Sequence, residues 1–316
     1  MTTVTKVATR ETFGKTLLEL GKENPDIVVV GGDLNKSTFA NLFGAQFPNR
    51  FFDLGPAEQN MMSVAAGFAA SGKIPFANTF AVFASGRPFD QLRVNIAQPH
   101  LNVKIAASHA GIVTGEDGVS AQGIEDLALM CALPGFNVIV PADSTETAKV
   151  VRFAAQTKGP FYIRLSRAAT PVIHSECNFV LGKTEPMRQG SDLTIIATGI
   201  MVATALEAAE KLAGQGIQAR VLNMHTLQPL DQEAILKAAK ETGVIVTAEE
   251  HLISGGLGSL VSQTVSASYP VPVEMVALRG YAESGTPDEL LKKYGLTASD
   301  VEKAARKALQ RKKAGR

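Results

Sequence analysis

One carboxylate stands at the head of an otherwise apolar, small-residue stretch, Ala57-Glu58-Gln59-Asn60-Met61-Met62-Ser63-Val64-Ala65-Ala66-Gly67. Charging a lone acid in apolar surroundings costs free energy. Its pKa is therefore expected to rise, leaving Glu58 a hydrogen-bond donor at neutral pH; the plainer alternative is a helix-start acid favoured by the macrodipole. Downstream come Thr79-Phe80-Ala81-Val82-Phe83, Ser108-His109-Ala110-Gly111, Gly115-Glu116-Asp117-Gly118 and Leu165-Ser166-Arg167. Phe80 and Phe83 alone read as core. Together with Glu58 they form a shelf on which a planar heteroaromatic cofactor can stack, with the acid placed for a ring nitrogen.

These residues must be positioned by a sheet. Short β-branched runs at 27–30, 74–80, 103–107, 138–140 and 161–165 read as buried strands. Helical patterns lie between them, at 11–21 and at 143–156, the latter with Asp143 as cap. This alternation predicts a parallel α/β sheet covered on both faces. A Pro- and Gly-containing stretch at 171–192 marks a boundary, after which strands at 193–197, 219–223, 244–248 and 273–278 begin a second series. Its last helix is expected to start at Thr297, with Thr297 and Asp300 as a capping box. The predicted fold class is therefore α/β, with two consecutive domains of mostly parallel sheets, over 1–175 and 190–316. Gly31-Gly32-Asp33-Leu34 falls at a strand's carboxyl end, where such sheets bind ligands. Ser37 shares that loop and brings a hydroxyl that could reach a phosphate.

Composition excludes several classes. Lys plus Arg number 31 against 30 Asp plus Glu, which leaves no global field for nucleic acid or an anionic membrane. The basic tail from Lys303 to Arg316 has no interleaved aromatics and reads as a solvated helix end. No apolar run approaches the ~18 residues of a membrane span, and the first residues lack a leader's apolar core, so the expected location is cytoplasmic. Cys131 and Cys177 read as reduced structural thiols. His225 and His251 lack metal-ligand spacing and default to structural or surface roles; no metal ligand is expected in this chain. Ser254-Gly255-Gly256-Leu257-Gly258 lacks dinucleotide spacing and reads as close helix packing.

Taken in order, Ala8-Thr9-Arg10, the 31–37 loop, Ala57-Glu58-Gln59, Thr79-Phe80, Ser108-His109, Gly115-Glu116-Asp117-Gly118 and Leu165-Ser166-Arg167 resemble the second half of a transketolase. The resemblance implies a thiamine-diphosphate pyrimidine-binding domain followed by the family's C-terminal domain. It further implies that Glu58 hydrogen-bonds N1′ of the aminopyrimidine, that Phe80 and Phe83 hold the ring, and that Asp33 lies at the cofactor site. Arg10, Ser37, His109 and Arg167 would bind the sugar phosphate, and Asp117 would read a substrate hydroxyl, so that Glu58, His109 and Asp117 form the catalytic set. The reaction implied is transfer of a two-carbon ketol unit from a ketose phosphate to an aldose phosphate.

Two positions depart from the family pattern. Ala121 replaces a histidine near the reacting carbons, and Gly86 replaces a third pocket aromatic. The Gly-Asp-Gly motif that carries Mg2+ and the diphosphate in thiamine enzymes is absent. The resemblance therefore implies a separate N-terminal, diphosphate-binding subunit holding Mg2+ (or Ca2+), most simply in an α2β2 heterotetramer. The rival readings are the β subunit of a 2-oxoacid dehydrogenase E1 component, a synthase of the deoxyxylulose-phosphate type and a noncatalytic transketolase-like assembly subunit. Arg10, His109, Arg167 and Gly-Glu-Asp-Gly favour the sugar enzyme.

Overall fold

The computed structural model describes residues 5–314; readings that touch residues 1–4, or 315–316 of the basic tail, lie outside them. The strands are β1 (Lys6–Ala8), β2 (Ile27–Gly31), β3 (Phe51–Asp53), β4 (Ile74–Phe80), β5 (Lys104–Ser108), β6 (Asn137–Ile139), β7 (Phe161–Arg164), β8 (Ala169–Pro171), β9 (Glu185–Arg188), β10 (Leu193–Ala197), β11 (Ala219–Asn223), β12 (Thr226–Gln228), β13 (Ile245–Leu252) and β14 (Val273–Leu278). Seven of them form one sheet, ordered β12-β6-β7-β5-β4-β2-β3, and five another, β14-β13-β10-β11-β9. Within these sheets all neighbours run parallel except β12 on β6 and β9 on β11.

The physical reason is visible in β2. Ile27 and Val29 pack into the layer with Phe13, Phe43 and Phe76, while Val30 packs on the other side with Met61 and Ala65. A strand apolar on both faces needs cover on both, which parallel crossovers provide. The predicted helices follow: Thr9–Glu23 buries Phe13, Leu17 and Leu20, and Ser144–Gln156 starts at Asp143, whose side chain accepts the Glu146 N–H at 2.9 Å. At the last helix, Ala298–Ala314, the Thr297 hydroxyl and amide both donate to Asp300 Oδ2.

From β2 the chain moves to β3 on one side and then to β4 on the other, so the sheet order reverses between β2 and β4. The crevice at such a reversal, beyond the strands' carboxyl ends, is where open α/β sheets bind ligands.

The stretch 171–192 is more than a connector. β8 pairs with β1, and β9 joins the second sheet five residues before the expected start at 190. Pro186 is tolerated because β9 is an edge strand, where a missing N–H leaves no ladder bond broken. β12 crosses back onto the first sheet, and a shared apolar layer joins Met130, Leu133 and Val140 to Ile196, Met224 and Ile235.

A buried ionic cluster reinforces that seam. His174 Nδ1 lies 2.9 Å from Asp143 Oδ2 and Nε2 3.1 Å from Glu185 Oε2, while Asn223 Nδ2 donates to Glu146. Burial disfavours a charged His174, but Asp143, Glu146 and Glu185 outweigh it and raise its pKa to about 9. Desolvation raises Glu146 to about 7. A histidine whose folded pKa exceeds its free value stabilises fully below about pH 6.5, and that contribution is lost as pH rises through about 9. The shift corresponds to a contribution on the order of 3 kcal/mol. Denaturant unfolding should therefore show His174→Gln clearly less stable than wild type near pH 6, with the gap closing towards pH 10. A gap that stays constant with pH would contradict this account.

Candidate functional site

At the carboxyl end of β2 the chain turns sharply. A Cβ on Gly32 would press on Met61 Sδ and Thr79, so the loop lies close over the helix Glu58–Ala70 and the end of β4. Asp33 has φ +65°, an uncommon conformation for a non-glycine residue that marks local strain. It is exposed and held by its backbone, its N–H donating to Asp53 Oδ1 at 3.0 Å while Asn35 Nδ2 donates to Asp53 Oδ2 at 2.6 Å. Sequence reasoning missed Asp53, the residue that organises this loop.

Glu58 is the first residue of its helix and is 4 % exposed, with Met61, Met62, Ala65 and Ala66 buried behind it. It is not the lone acid expected from the sequence. Arg87 Nη1 lies 2.6 Å from Glu58 Oε1, and the guanidinium sits 4.0 Å over the Phe83 ring centroid. Arg87 immediately follows Gly86, at the place where the sequence offers no third aromatic. Its signal was a planar cation next to a predicted aromatic shelf. Phe80 and Phe83 do form such a shelf, with ring centroids 5.8 Å apart and planes within 11°. Gly86 is exposed, with open space around it.

His109 follows β5 and, like Asp33, adopts a positive φ, +56°. Its ring stacks on Phe80 with centroids 3.6 Å apart, and Nδ1 lies 2.9 Å from Ser108 Oγ. Burial, then Arg10 and Arg167, lower its pKa to about 3. His109 is thus a neutral imidazole at physiological pH, and any charge offered to an anion here comes from the arginines.

Arg10 and Arg167 meet across β1 and the end of β7. Arg10 Nε donates to the Arg167 carbonyl at 3.2 Å and Nη1 to the Ser37 carbonyl at 2.6 Å. Arg10 therefore engages Ser37 through its main chain, whereas the sequence pointed to the hydroxyl. Burial, followed by the neighbouring Arg167 charge, lowers the Arg10 pKa; two crowded cations of this kind favour an oxyanion between them. Arg167 Nη1 is 3.0 Å from Glu116 Oε2, and its Nε is 4.0 Å from Asp117 Oδ2. Arg10, Ser37, His109, Asp117 and Arg167 are therefore brought together.

Ala121 is buried, and nearby Gly123 abuts Ala81 and Val82, placing the 121–123 segment beside the aromatic shelf. The glycines at 255–258 leave no room for a phosphate, because Glu249 accepts the Leu257 and Gly258 N–H groups at 2.7 Å each. His225 and His251 are buried and bonded to Thr226 Oγ1 and to the Leu252 carbonyl, respectively. Desolvation raises both cysteine thiols to about 12, which makes them inert. Glu146, His174 and Glu185 bring possible ligand atoms within 4.8 Å of one another, a grouping their scattered numbering hid; Asp143 and Glu185 already engage the imidazole. Among the described residues no helix is long and apolar enough to cross a membrane.

Fold and site together define an α/β protein with a paired-arginine corner beside an aromatic and carboxylate shelf. Residues 5–172 match the transketolase pyrimidine binding domain and 182–301 the transketolase C-terminal domain. The chain belongs to the transketolase family, and this membership implies dependence on thiamine diphosphate. A solved split gene transketolase, described as an inactive β4 tetramer, superposes with a TM-score of 0.89 at 51% identity, covering 98% of this chain and 100% of that one. The 6-deoxy-6-sulfo-D-fructose transketolase subunit SqwH of Clostridium sp. is 44% identical, covering 96% of this chain and 95% of its own. An apulose-4-phosphate transketolase subunit of Phocaeicola vulgatus is 39% identical, covering 95% and 96%. By contrast, the chain spans about half of human transketolase, 49% of its length at 38% identity.

The neutral state of His109 is directly measurable. Its ring resonances should keep neutral-imidazole shifts from pH 8 down to about pH 5, where an unperturbed histidine has titrated. A midpoint above about pH 5 would show that burial and the two arginines do not act on it as described.

Proposed function

We propose that this chain is the C-terminal subunit of a two-gene, thiamine-diphosphate-dependent transketolase, composed of a pyrimidine-binding domain over 1–175 and a C-terminal domain that takes in β9 ahead of the expected start at 190. The observation that carries this reading is the convergence of Glu58, the parallel Phe80 and Phe83 rings and the Arg10–Arg167 pair on one end of one sheet. The donor set suits an aminopyrimidine. Arg87 supplies the test of fit, since a flat group bearing N–H donors already rests on Phe83 while donating to Glu58.

When bound, thiamine diphosphate supplies the electron sink that cleavage of a ketose between C2 and C3 requires. Glu58 would hold a proton at N1′ of the aminopyrimidine, Phe80 and Phe83 would receive its ring, and Asp33 would lie at the cofactor site. Arg87 must yield Glu58 Oε1 for that contact to form. Arg10 and Arg167 grip the substrate's terminal oxyanion, Ser37 and His109 line the same corner as neutral groups, and Asp117 orients a hydroxyl near the reacting carbons. The relatives' names specify a sulfonated sugar and a sugar phosphate. A ketose with a tetrahedral anionic end is the shared chemistry, and it is what two guanidinium forks suit.

The diphosphate and its Mg2+ (or Ca2+) belong to a partner subunit, most simply in an α2β2 heterotetramer working in cytoplasmic pentose phosphate metabolism. Purified chain alone should show no ketol transfer, and co-assembly with a diphosphate-binding transketolase subunit should restore it against a panel of ketose phosphates. In that assembly Glu58→Gln should slow C2 proton exchange of bound thiamine diphosphate by about 100-fold or more, because an amide cannot cycle the proton. Equal exchange in wild type and variant would remove Glu58 from the mechanism.

Ala121 provides a second test. Loss of a group acting on reacting oxygens lowers kcat, whereas loss of a remote anion contact weakens ground-state binding. Ala121→His should raise kcat for common ketose phosphates by about 10- to 100-fold with KM little changed. No gain with any donor would mean the site is built around different donor chemistry.

A further inference from the structure

The loop between β5 and residue 118 carries His109, Glu116 and Asp117, yet its conformation is dictated from the other half of the molecule. Glu250, on β13, is 3 % exposed and points its carboxylate across the seam, where Oε1 accepts the Val113 N–H at 2.6 Å. The fit is close enough to specify the facing residue. Gly111 has φ +78°, and a Cβ there would overlap the Glu250 carboxyl group, so only glycine allows the carboxylate its place. The Glu250 carbonyl is held in turn by Arg164 Nη2 at 3.0 Å. A second grip lies at the loop's far end, where Ser284 Oγ donates to the Glu116 carbonyl at 2.6 Å and Gln122 Nε2 donates to the Glu283 carbonyl at 3.1 Å.

We infer that Glu250 is a positioning residue: the second domain acts as a clamp that sets the substrate loop, with the Glu250 carboxylate on Val113 as its fixed point. A buried carboxylate is costly without compensation, so it persists where amides and a cation offset that cost. Here those partners are the Val113 amide and Arg164, and the group they stabilise fixes a loop whose tip carries Asp117, four residues beyond Val113. Small errors in the placement of such a tip cost rate steeply, because reacting groups must be held in near-attack geometry.

The proposal rests on the reading of Asp117 as a substrate contact, and the test separates the two. Hydrogen exchange of the full chain comes first. Glu250→Ala should speed exchange of the Val113 amide by about tenfold or more, leaving β10 unchanged. Glu250→Gln, whose side-chain carbonyl still accepts, should stay near wild type. If Glu250→Ala does not fold, Gly111→Ala attacks the same contact from the loop side and should give the same exchange signature.

In the assembled two-subunit enzyme, Glu250→Ala should lower kcat by about 10- to 100-fold, with a smaller change in KM and substantial recovery in Glu250→Gln. Wild-type exchange and wild-type kcat in Glu250→Ala would overturn the clamp. A wild-type assembly with no ketol transfer would instead overturn the functional reading, and loop exchange alone would then decide the clamp.

Discussion

A guanidinium taken out of water needs hydrogen-bond partners to offset its burial, and Arg164 is the case on which this structure turns. It is 6 % exposed at the end of β7; its Nε donates to Asp126 Oδ2 at 2.8 Å, and its Nη2 to the carbonyls of Gly123 and Glu250 at 3.0 Å each. Tyr162 adds a hydroxyl donor to the same Asp126 oxygen. Burial works against the charge, but Asp126 outweighs it and keeps the Arg164 pKa above its ordinary value. Removing one partner from such a set leaves an uncompensated buried charge, which typically costs about 3–5 kcal/mol. The set therefore fixes the relative placement of β7, the 123–126 segment and β13.

The consequences radiate from that point. β7 leads directly into Arg167, the 123 segment lies against the start of the helix Ala81–Gly86, and β13 carries Glu249 and Glu250. These successive acids face opposite ways, as strand neighbours must. Glu249 accepts the first amides of the helix Leu257–Ser268, and Glu250 accepts from the 111–113 turn. Desolvation lifts both to about 7. The apolar layer shared by the two halves surrounds this polar seam, so the halves are one packed body at that surface.

The central strands were legible because burial on both faces leaves a β-branched run that needs no context. The edges were not: β3, β9 and β12 are short, polar or proline-bearing, and their pairing depends on residues far along the chain. Within the site, residue types and order pointed to Glu58, the phenylalanine pair and the arginines, whereas contacts between distant segments remained hidden. Nothing local to Glu58 reveals that Arg87 folds back onto it. Glu249-Glu250-His251 is a polar run that is entirely buried, its carboxylates accepting backbone N–H groups from Leu257, Gly258 and, more than a hundred residues away, Val113. The neutral state of His109 was hidden for the same reason: its stacking on Phe80 and the proximity of Arg10 are properties of the assembled fold.

Glu116 has a consequence of its own. Its carboxylate accepts from Arg167 Nη1 at 3.0 Å, is exposed to solvent, and the residue is tethered through its carbonyl to Ser284. On the function proposed above, an arriving anion would exchange one negative partner of Arg167 for another. The net gain on binding is the difference between two similar contacts, which lowers apparent affinity by the fraction of time the fork is free. If Arg167 holds the substrate's charged end as proposed, Glu116 acts as a built-in competitor for the same guanidinium, trading strength of grip for ease of release.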